Sequence, residues 1–189
     1  VAEEFGEDAS YSPDYARIVN DRHFDRLMHY MSDGRIICGG AANKESRYIA
    51  PTILTEVSLD APLMEEEIFG PLLPVISYSS FDELKEIISA RRNPLALYVF
   101  SEDRDFEQRV IAEIPFGGGC VNDTLMHFAC HSLPFGGRGE SGMGAYHGKA
   151  SFDVFTHYKS VLDKSTLFDP PLRYRPYEKR ISTVRWVVD

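Results

Sequence analysis

Three parts of this chain carry residues whose types and spacing suit chemistry. Glu65-Glu66-Glu67 stand together and run into Ile68-Phe69-Gly70-Pro71. An ionised carboxylate only accepts hydrogen bonds and can take them from two neighbouring hydroxyls, while an aromatic face suits a flat ring. Read by themselves, the three acids are a solvated helical turn stopped by Gly70-Pro71. The second part is Asn122, His127-Phe128 and Pro134-Phe135. By themselves these are turn residues and loop-anchoring aromatics. The third runs from Pro134 to Lys149 and holds six glycines: Gly136, Gly137, Gly139, Gly142, Gly144 and Gly148. Each glycine costs folding entropy, so such density marks a backbone that turns at positive φ or approaches something closely.

Two apparent motifs do not fit their usual settings. Gly137-Arg138-Gly139-Glu140-Ser141-Gly142 matches the dinucleotide pattern G-x-G-x-x-G, with Asp163 downstream. That fingerprint needs a strand before it and a helix opening at it. Leu133-Pro134-Phe135 is no strand, and Gly144 and Gly148 are poor helix residues. His127 and His131 have metal spacing only if they share a helix, which the loop composition argues against, so no metal site is expected. Cys38, Cys120 and Cys130 are odd in number and widely spaced, which fits free buried thiols in a reducing compartment rather than disulfides or a metal knot. Cys120 falls in an apolar strand and reads as inert.

These residues need elements to position them. Residues 13–32 read as a helix, with Ser12 as N-cap, Pro13 at the first turn and Gly34 beyond its end. Residues 35–39 read as a short strand, and 48–54 as an edge strand or bulge containing Pro51. Residues 72–78 read as a buried strand. Ser80-Phe81-Asp82-Glu83 forms a capping box that opens a helix through Leu84, Ile87 and Ile88, ended before Pro94. A strand over 95–100 follows, then a helix capped by Asp103 and stopped at Pro115, then a strand over 119–122. Strand–helix–strand–helix–strand is the pattern of a parallel α/β sheet. Residues 123–150 form a loop too long to be a mere connector. Residues 151–161 alternate like a strand, and the tail from Asp169 is read as wrapping the surface.

The chain has 189 residues with 29 acidic against 20 basic side chains, a net charge of −9, which disfavours nucleic acid and anionic membranes as partners. At 43% hydrophobic and 26% charged it has a soluble globular balance. No apolar run approaches a membrane span, and Val1-Ala2-Glu3-Glu4 does not open a signal peptide. The expectation is a cytoplasmic protein. The missing initiator Met suits a fragment or a processed chain.

Taken together, the Glu65–Pro71 and Pro134–Lys149 motifs resemble the C-terminal part of an aldehyde dehydrogenase. The similarity extends to Ser12-Pro13-Asp14-Tyr15, Arg22-His23-Phe24, Arg47-Tyr48-Ile49-Ala50-Pro51-Thr52, residues 94–100 and Ser151-Phe152-Asp153. Met143-Gly144-Ala145-Tyr146-His147-Gly148-Lys149 and Arg173-Tyr174-Arg175-Pro176-Tyr177 resemble the class 3 branch.

The resemblance implies an α/β fold, a Rossmann-like parallel sheet flanked by helices, plus a C-terminal oligomerisation strand near residues 154–161. It implies that residues 1–150 are part of a catalytic domain and 151–189 an oligomerisation strand and tail. It places Glu67 on the nicotinamide ribose of NAD or NADP, with a minor role as base, and Phe69 beside the nicotinamide. It places Phe135 in the wall of the aldehyde channel, with Asn122, His127 and Phe128 in the same region. It implies a nucleophilic cysteine upstream of this chain, an aldehyde substrate, a carboxylic acid product and a homodimer. On that view the chain alone is inactive. Arg138 and Glu140 depart from the small or apolar residues common in the family's glycine loop, and Phe116-Gly117-Gly118-Gly119 from its more polar approach to the strand.

Two other readings stand beside this one. A non-catalytic oligomerisation or scaffold module derived from such an enzyme would also lack a nucleophile. An unrelated α/β binding domain could use the glycine loop to cradle an anion.

Overall fold

The computed structural model describes residues 1–91, 93–169, 171–176 and 181–188. A four-residue helix α1 (Ala2–Phe5) opens the chain, and α2 (Asp21–Tyr30) is the first long helix. Helix α2 starts later than residues 13–32 suggest. Its N-cap is Asn20, whose side chain accepts a 2.8 Å bond from the His23 N–H. Residues 12–19 are not helical, because arginines bind their backbone groups instead. Arg17 donates to the carbonyls of Ser10 and Tyr15, Arg47 donates to Val19 O, and Ile18 N donates to Arg47 O. The apolar residues that mimic helical spacing serve other contacts: Tyr15 donates to Ile49 O and packs with Phe5, Ala9, Tyr48 and Ala50.

Strands β1 (Arg35–Cys38), β2 (Ala42–Asn43), β3 (Tyr48–Ile49) and β4 (Thr52–Thr55) follow. Residues 48–54 thus split at Ala50-Pro51, since proline cannot donate to a ladder. β3 pairs antiparallel with β2, and β4 pairs antiparallel with β1 across a bulge at Ile36/Cys38. Strand β5 (Leu72–Pro74) pairs parallel with β4 and is shorter than residues 72–78 suggest; Leu72 is buried and Leu73 exposed. Phe24, Leu27 and Tyr30 of α2 pack with Ile49, Leu54, Leu63 and Leu72 in the largest core cluster.

Helix α3 (Phe81–Ser89) opens as expected, with Ser80 Oγ accepting from Glu83 N at 3.1 Å. The reciprocal bond reaches one residue further back, from Ser79 N to Glu83 Oε2 at 2.7 Å. Strand β6 (Ala96–Val99), helix α4 (Arg104–Glu113) and strand β7 (Gly118–Val121) form a strand–helix–strand unit, and β6 and β7 run parallel in register. Asp103 caps α4 through the N–H groups of Asp105 and Phe106. Strand β5 pairs with β4 rather than β6, so the parallel pairing falls in two separate sheets. The result is a mixed α/β fold with parallel sheet segments.

The long loop contains a one-turn helix α5 (Met126–Ala129) and a two-stranded bridge between Phe135 and Tyr146. Residues 151–161 were expected as a strand. Instead α6 (Gly148–Phe155) occupies their first half, held by its own i,i+4 pair of Lys149 and Asp153, and 156–161 pair with no strand among the described residues. The alternation of Phe152, Val154 and Phe155 is too short to separate period 2 from period 3.6. Tail residues 171–173 form a single 3-10 turn, and helix α7 (Ile181–Val188) follows. Tyr177 of the tail motif lies outside the described residues. Among the described residues no helix is long and apolar enough to cross a membrane.

Candidate functional site

The Glu65–Pro71 segment sits on the outer side of α2. Its Gly70 is there because nothing larger fits: a Cβ at this position would stand 2.6 Å from Leu27 Cδ1. From the same helix Arg26 reaches three groups of the segment. It bonds Glu66 Oε2 at 2.5 Å, Glu67 O at 3.2 Å and Ile68 O at 2.9 Å. Its guanidinium lies 5.4 Å from the centre of the Tyr30 ring, and its Nε is buried with no hydrogen-bond partner among the described residues. One turn earlier, the His23 ring nitrogen Nε2 donates to Phe69 O at 2.7 Å, and the two rings meet edge to face at 6.1 Å.

Phe69 therefore adopts φ 49°, a left-handed conformation that costs a non-glycine residue about 1–2 kcal/mol. Phe69 is 71% exposed. Val19, Asn20, Arg22, His23 and Arg26 line one wall of a cleft of about 880 Å³, and Glu66, Glu67 and Phe69 the other. Glu66 is paired with Arg26; the Glu67 side chain is exposed and makes no hydrogen bond or ion pair among the described residues. A carboxylate beside an exposed aromatic ring can accept hydrogen bonds from hydroxyls and offer a face to a flat ring.

The second group is built around β7 and the loop after it. His127 is 8% exposed and lies between Tyr98 and Phe135, each 5.7 Å away ring to ring. Its Nδ1 is 3.6 Å from Cys120 Sγ, and its Nε2 is buried without a partner among the described residues. Phe128 meets Phe135 at 5.0 Å and His147 at 5.5 Å, and Tyr146 meets His147 at 4.6 Å. The glycine loop folds against itself. Phe135 and Tyr146 exchange backbone bonds of 2.8 and 2.9 Å, and a Cβ on Gly136 would stand 2.1 Å from Gly144 O. The dense glycine thus serves close backbone approach. Gly137–Gly142 has no strand before it and only a 3-10 turn within it.

The structure brings Glu67 together with Phe69, and His127 and Phe128 together with Phe135. Asn122 stands apart from the rings. Its amide donates to Ser101 O at 2.8 Å and to the buried Glu107 at 3.3 Å, and its Oδ1 accepts from Ser101 N at 2.8 Å. At φ 55° it ties the end of β7 to the start of α4. His127 lies on α5 and His131 beyond it, with the His131 ring tilted against His147 at 5.8 Å, so the two do not share a helical face. No three metal-ligating side chains converge among the described residues. The expectation of three buried thiols fails: Cys38 is exposed and the other two are half-buried. The neighbouring Ser132 hydroxyl holds the Cys130 thiol below its ordinary pKa.

Sequence reasoning assigned no role to His23, Arg26, Tyr98 or His147. The bonds that give them one join residues 40 or more apart for His23 and Arg26, and no local pattern announces them.

The aldehyde dehydrogenase family profile matches residues 4–161. The chain is 49% identical over 187 residues to a 4,4'-diaponeurosporen-aldehyde dehydrogenase of Staphylococcus aureus, covering 98% of this chain and 41% of that protein. It is 46% identical over 175 residues to a dimeric NADP-preferring aldehyde dehydrogenase of Bos taurus, covering 93% and 73%. It is 48% identical over 188 residues to aldehyde dehydrogenase family 3 member A2 of Mus musculus, covering 98% and 38%. The solved substrate-bound state of Staphylococcus aureus AldH superposes with a TM-score of 0.86 at 47% identity, covering all of this chain and 42% of that one. The chain thus spans about two fifths of the length of the Staphylococcus aureus relatives it matches.

Proposed function

The chain belongs to the aldehyde dehydrogenase family, in its class 3 branch, and on that premise we propose that it is the C-terminal portion of an NAD(P)-dependent enzyme. The reaction is oxidation of an aldehyde: aldehyde, NAD(P)+ and water give a carboxylic acid, NAD(P)H and a proton. The unpaired Glu67 carboxylate beside the exposed, left-handed Phe69 carries this reading.

In this reading Glu67 accepts from the two ribose hydroxyls, and Phe69 packs against the flat ring beside them. When bound, NAD or NADP supplies the acceptor for the aldehyde hydrogen. Phe135, Phe128 and His127 form an apolar wall that selects apolar aldehydes and limits bulk water. Asn122 supports that wall by fixing the end of β7. The nucleophile is a cysteine upstream of residue 1, forming a thioester that water then hydrolyses. None of the three thiols here has the sequence surroundings of the family's nucleophile, so the isolated chain is expected to be inactive. The name of the bovine relative includes "dimeric", and we extend a homodimer to this protein, with residues 151–189 as its oligomerising part and 1–150 as part of the catalytic domain. The three free thiols suit a reducing cytoplasm. The net charge of −9 disfavours nucleic acid and anionic membrane as partners.

Glu67→Gln in the full-length enzyme tests the reading. A lost charge-assisted bond is worth about 1.5–3 kcal/mol, so the KM for NAD(P) should rise by about tenfold or more, with the KM for aldehyde unchanged. Unchanged cofactor kinetics would contradict it. Loss of turnover with cofactor binding intact would instead assign Glu67 as a base.

A further inference from the structure

We propose that His23 and Arg26 are positioning residues that hold Glu67 and Phe69 in register for the nicotinamide end of the cofactor. The inference rests on the reading of Glu67 and Phe69 given above. Between Glu65 and Pro71 the backbone has no ladder of its own: among the described residues, 66–70 make no backbone–backbone hydrogen bond. Three consecutive carbonyls of that turn are instead held by α2. Arg26 takes Glu67 O and Ile68 O, and His23 takes Phe69 O.

Besides the packing of Ile68 on the core and of Gly70 against Leu27, the turn is held at its two ends and by these side chains. Downstream, Pro71 O accepts from Thr52 N at 2.8 Å, which anchors the start of the β4–β5 pairing. Upstream, Glu65 N closes the 3-10 turn on Pro62 O. The platform is rigid, because α2 is capped by Asn20 and rooted through Phe24 and Leu27, which are 4% and 0% exposed. Arg26 and His23 stand one turn apart on it, so their two grips set both the position and the tilt of the segment.

Arg26 has a second effect. It neutralises Glu66, the acid next to Glu67, while the Glu67 side chain makes no ion pair among the described residues. Without Arg26 the carbonyls of residues 67 and 68 lose their donors, and Phe69 has less reason to stay left-handed. The Glu67 carboxylate and the Phe69 ring would then lose a common orientation.

The test is binding of NADH and of AMP, which lacks the nicotinamide, to the full-length enzyme by fluorescence titration, with thermal midpoints recorded for each variant. Arg26→Gln and His23→Phe should each weaken NADH binding by about tenfold and leave AMP binding unchanged. Arg26→Lys and His23→Gln, which keep a donor, should recover most of the loss. Equal weakening of NADH and AMP would assign a general structural role and overturn the inference. So would NADH binding that Glu67→Gln weakens while Arg26→Gln and His23→Phe do not. If Glu67→Gln itself leaves NADH binding unchanged, the underlying reading falls and this inference with it. Should Arg26→Gln not fold, Arg26→Lys and His23→Phe are read alone: wild-type NADH binding in His23→Phe overturns the inference, and selective weakening supports it.

Discussion

At the scale of single residues, backbone strain and candidate chemistry coincide. Among the described residues six non-glycine positions take positive φ, and four of them, Phe69, Asn122, Leu125 and His147, lie in the two candidate segments. Such strain persists where the surroundings over-determine it, as α2 does for Phe69. Away from the site, Tyr15 offers a clean titration. Burial, then the neighbouring Tyr48, push its phenol up from 10 to about 12. Below pH 10 both folded and unfolded chains keep this proton. As pH rises further, the unfolded chain releases it first, so this contribution to stability is lost between pH 10 and about 12. Ultraviolet titration should show a late phenolate that Tyr15→Phe removes; a phenolate near 10 that Tyr15→Phe removes would contradict this. That Glu67 and Phe69 stand together was legible because their motif is contiguous. His23 and Arg26 were not, because their bonds are to residues 40 or more positions away.

At the scale of elements, local chemistry was legible wherever a cap was decisive. Ser80 and Asp103 start α3 and α4 as their sequence neighbourhoods imply. Ser80→Ala and Asp103→Ala should each cost about 1 kcal/mol in urea unfolding, and no change in midpoint would show that tertiary packing alone sets those ends. Where two caps competed, sequence reading chose the wrong one. Ser12-Pro13 has the form of a helix start, yet Ser12 caps only a local turn at Asp14 N, and the helix begins at Asn20. The arginines that divert residues 12–19 act over 28 residues in the case of Arg47 and leave no periodic trace. Residues 151–155 fail for a different reason. Five residues cannot fix a period, and the Lys149–Asp153 pair favours the helix.

At the scale of the whole molecule, the fold class was legible and the strand order was not. The β6–α4–β7 unit follows from alternating patterns, while the pairing of β5 with β4 depends on contacts that no pattern encodes. Phe152, Val154, Phe155, Tyr158, Val161 and Leu162 are all more than 60% exposed in the single chain. Exposed apolar side chains recurring over residues 152–162 suit burial against another surface, as in the homodimer proposed above. The chain also spans only about two fifths of the Staphylococcus aureus relative, so its chemistry is expected only in company with the remainder. The most direct test compares the full-length protein with this 189-residue chain, each given an aldehyde and NAD(P)+, following NAD(P)H and carboxylic acid together. The account predicts equal amounts of both products from the full-length protein and neither from the chain alone. Aldehyde oxidation by the chain alone, or none by the full-length protein, would contradict it.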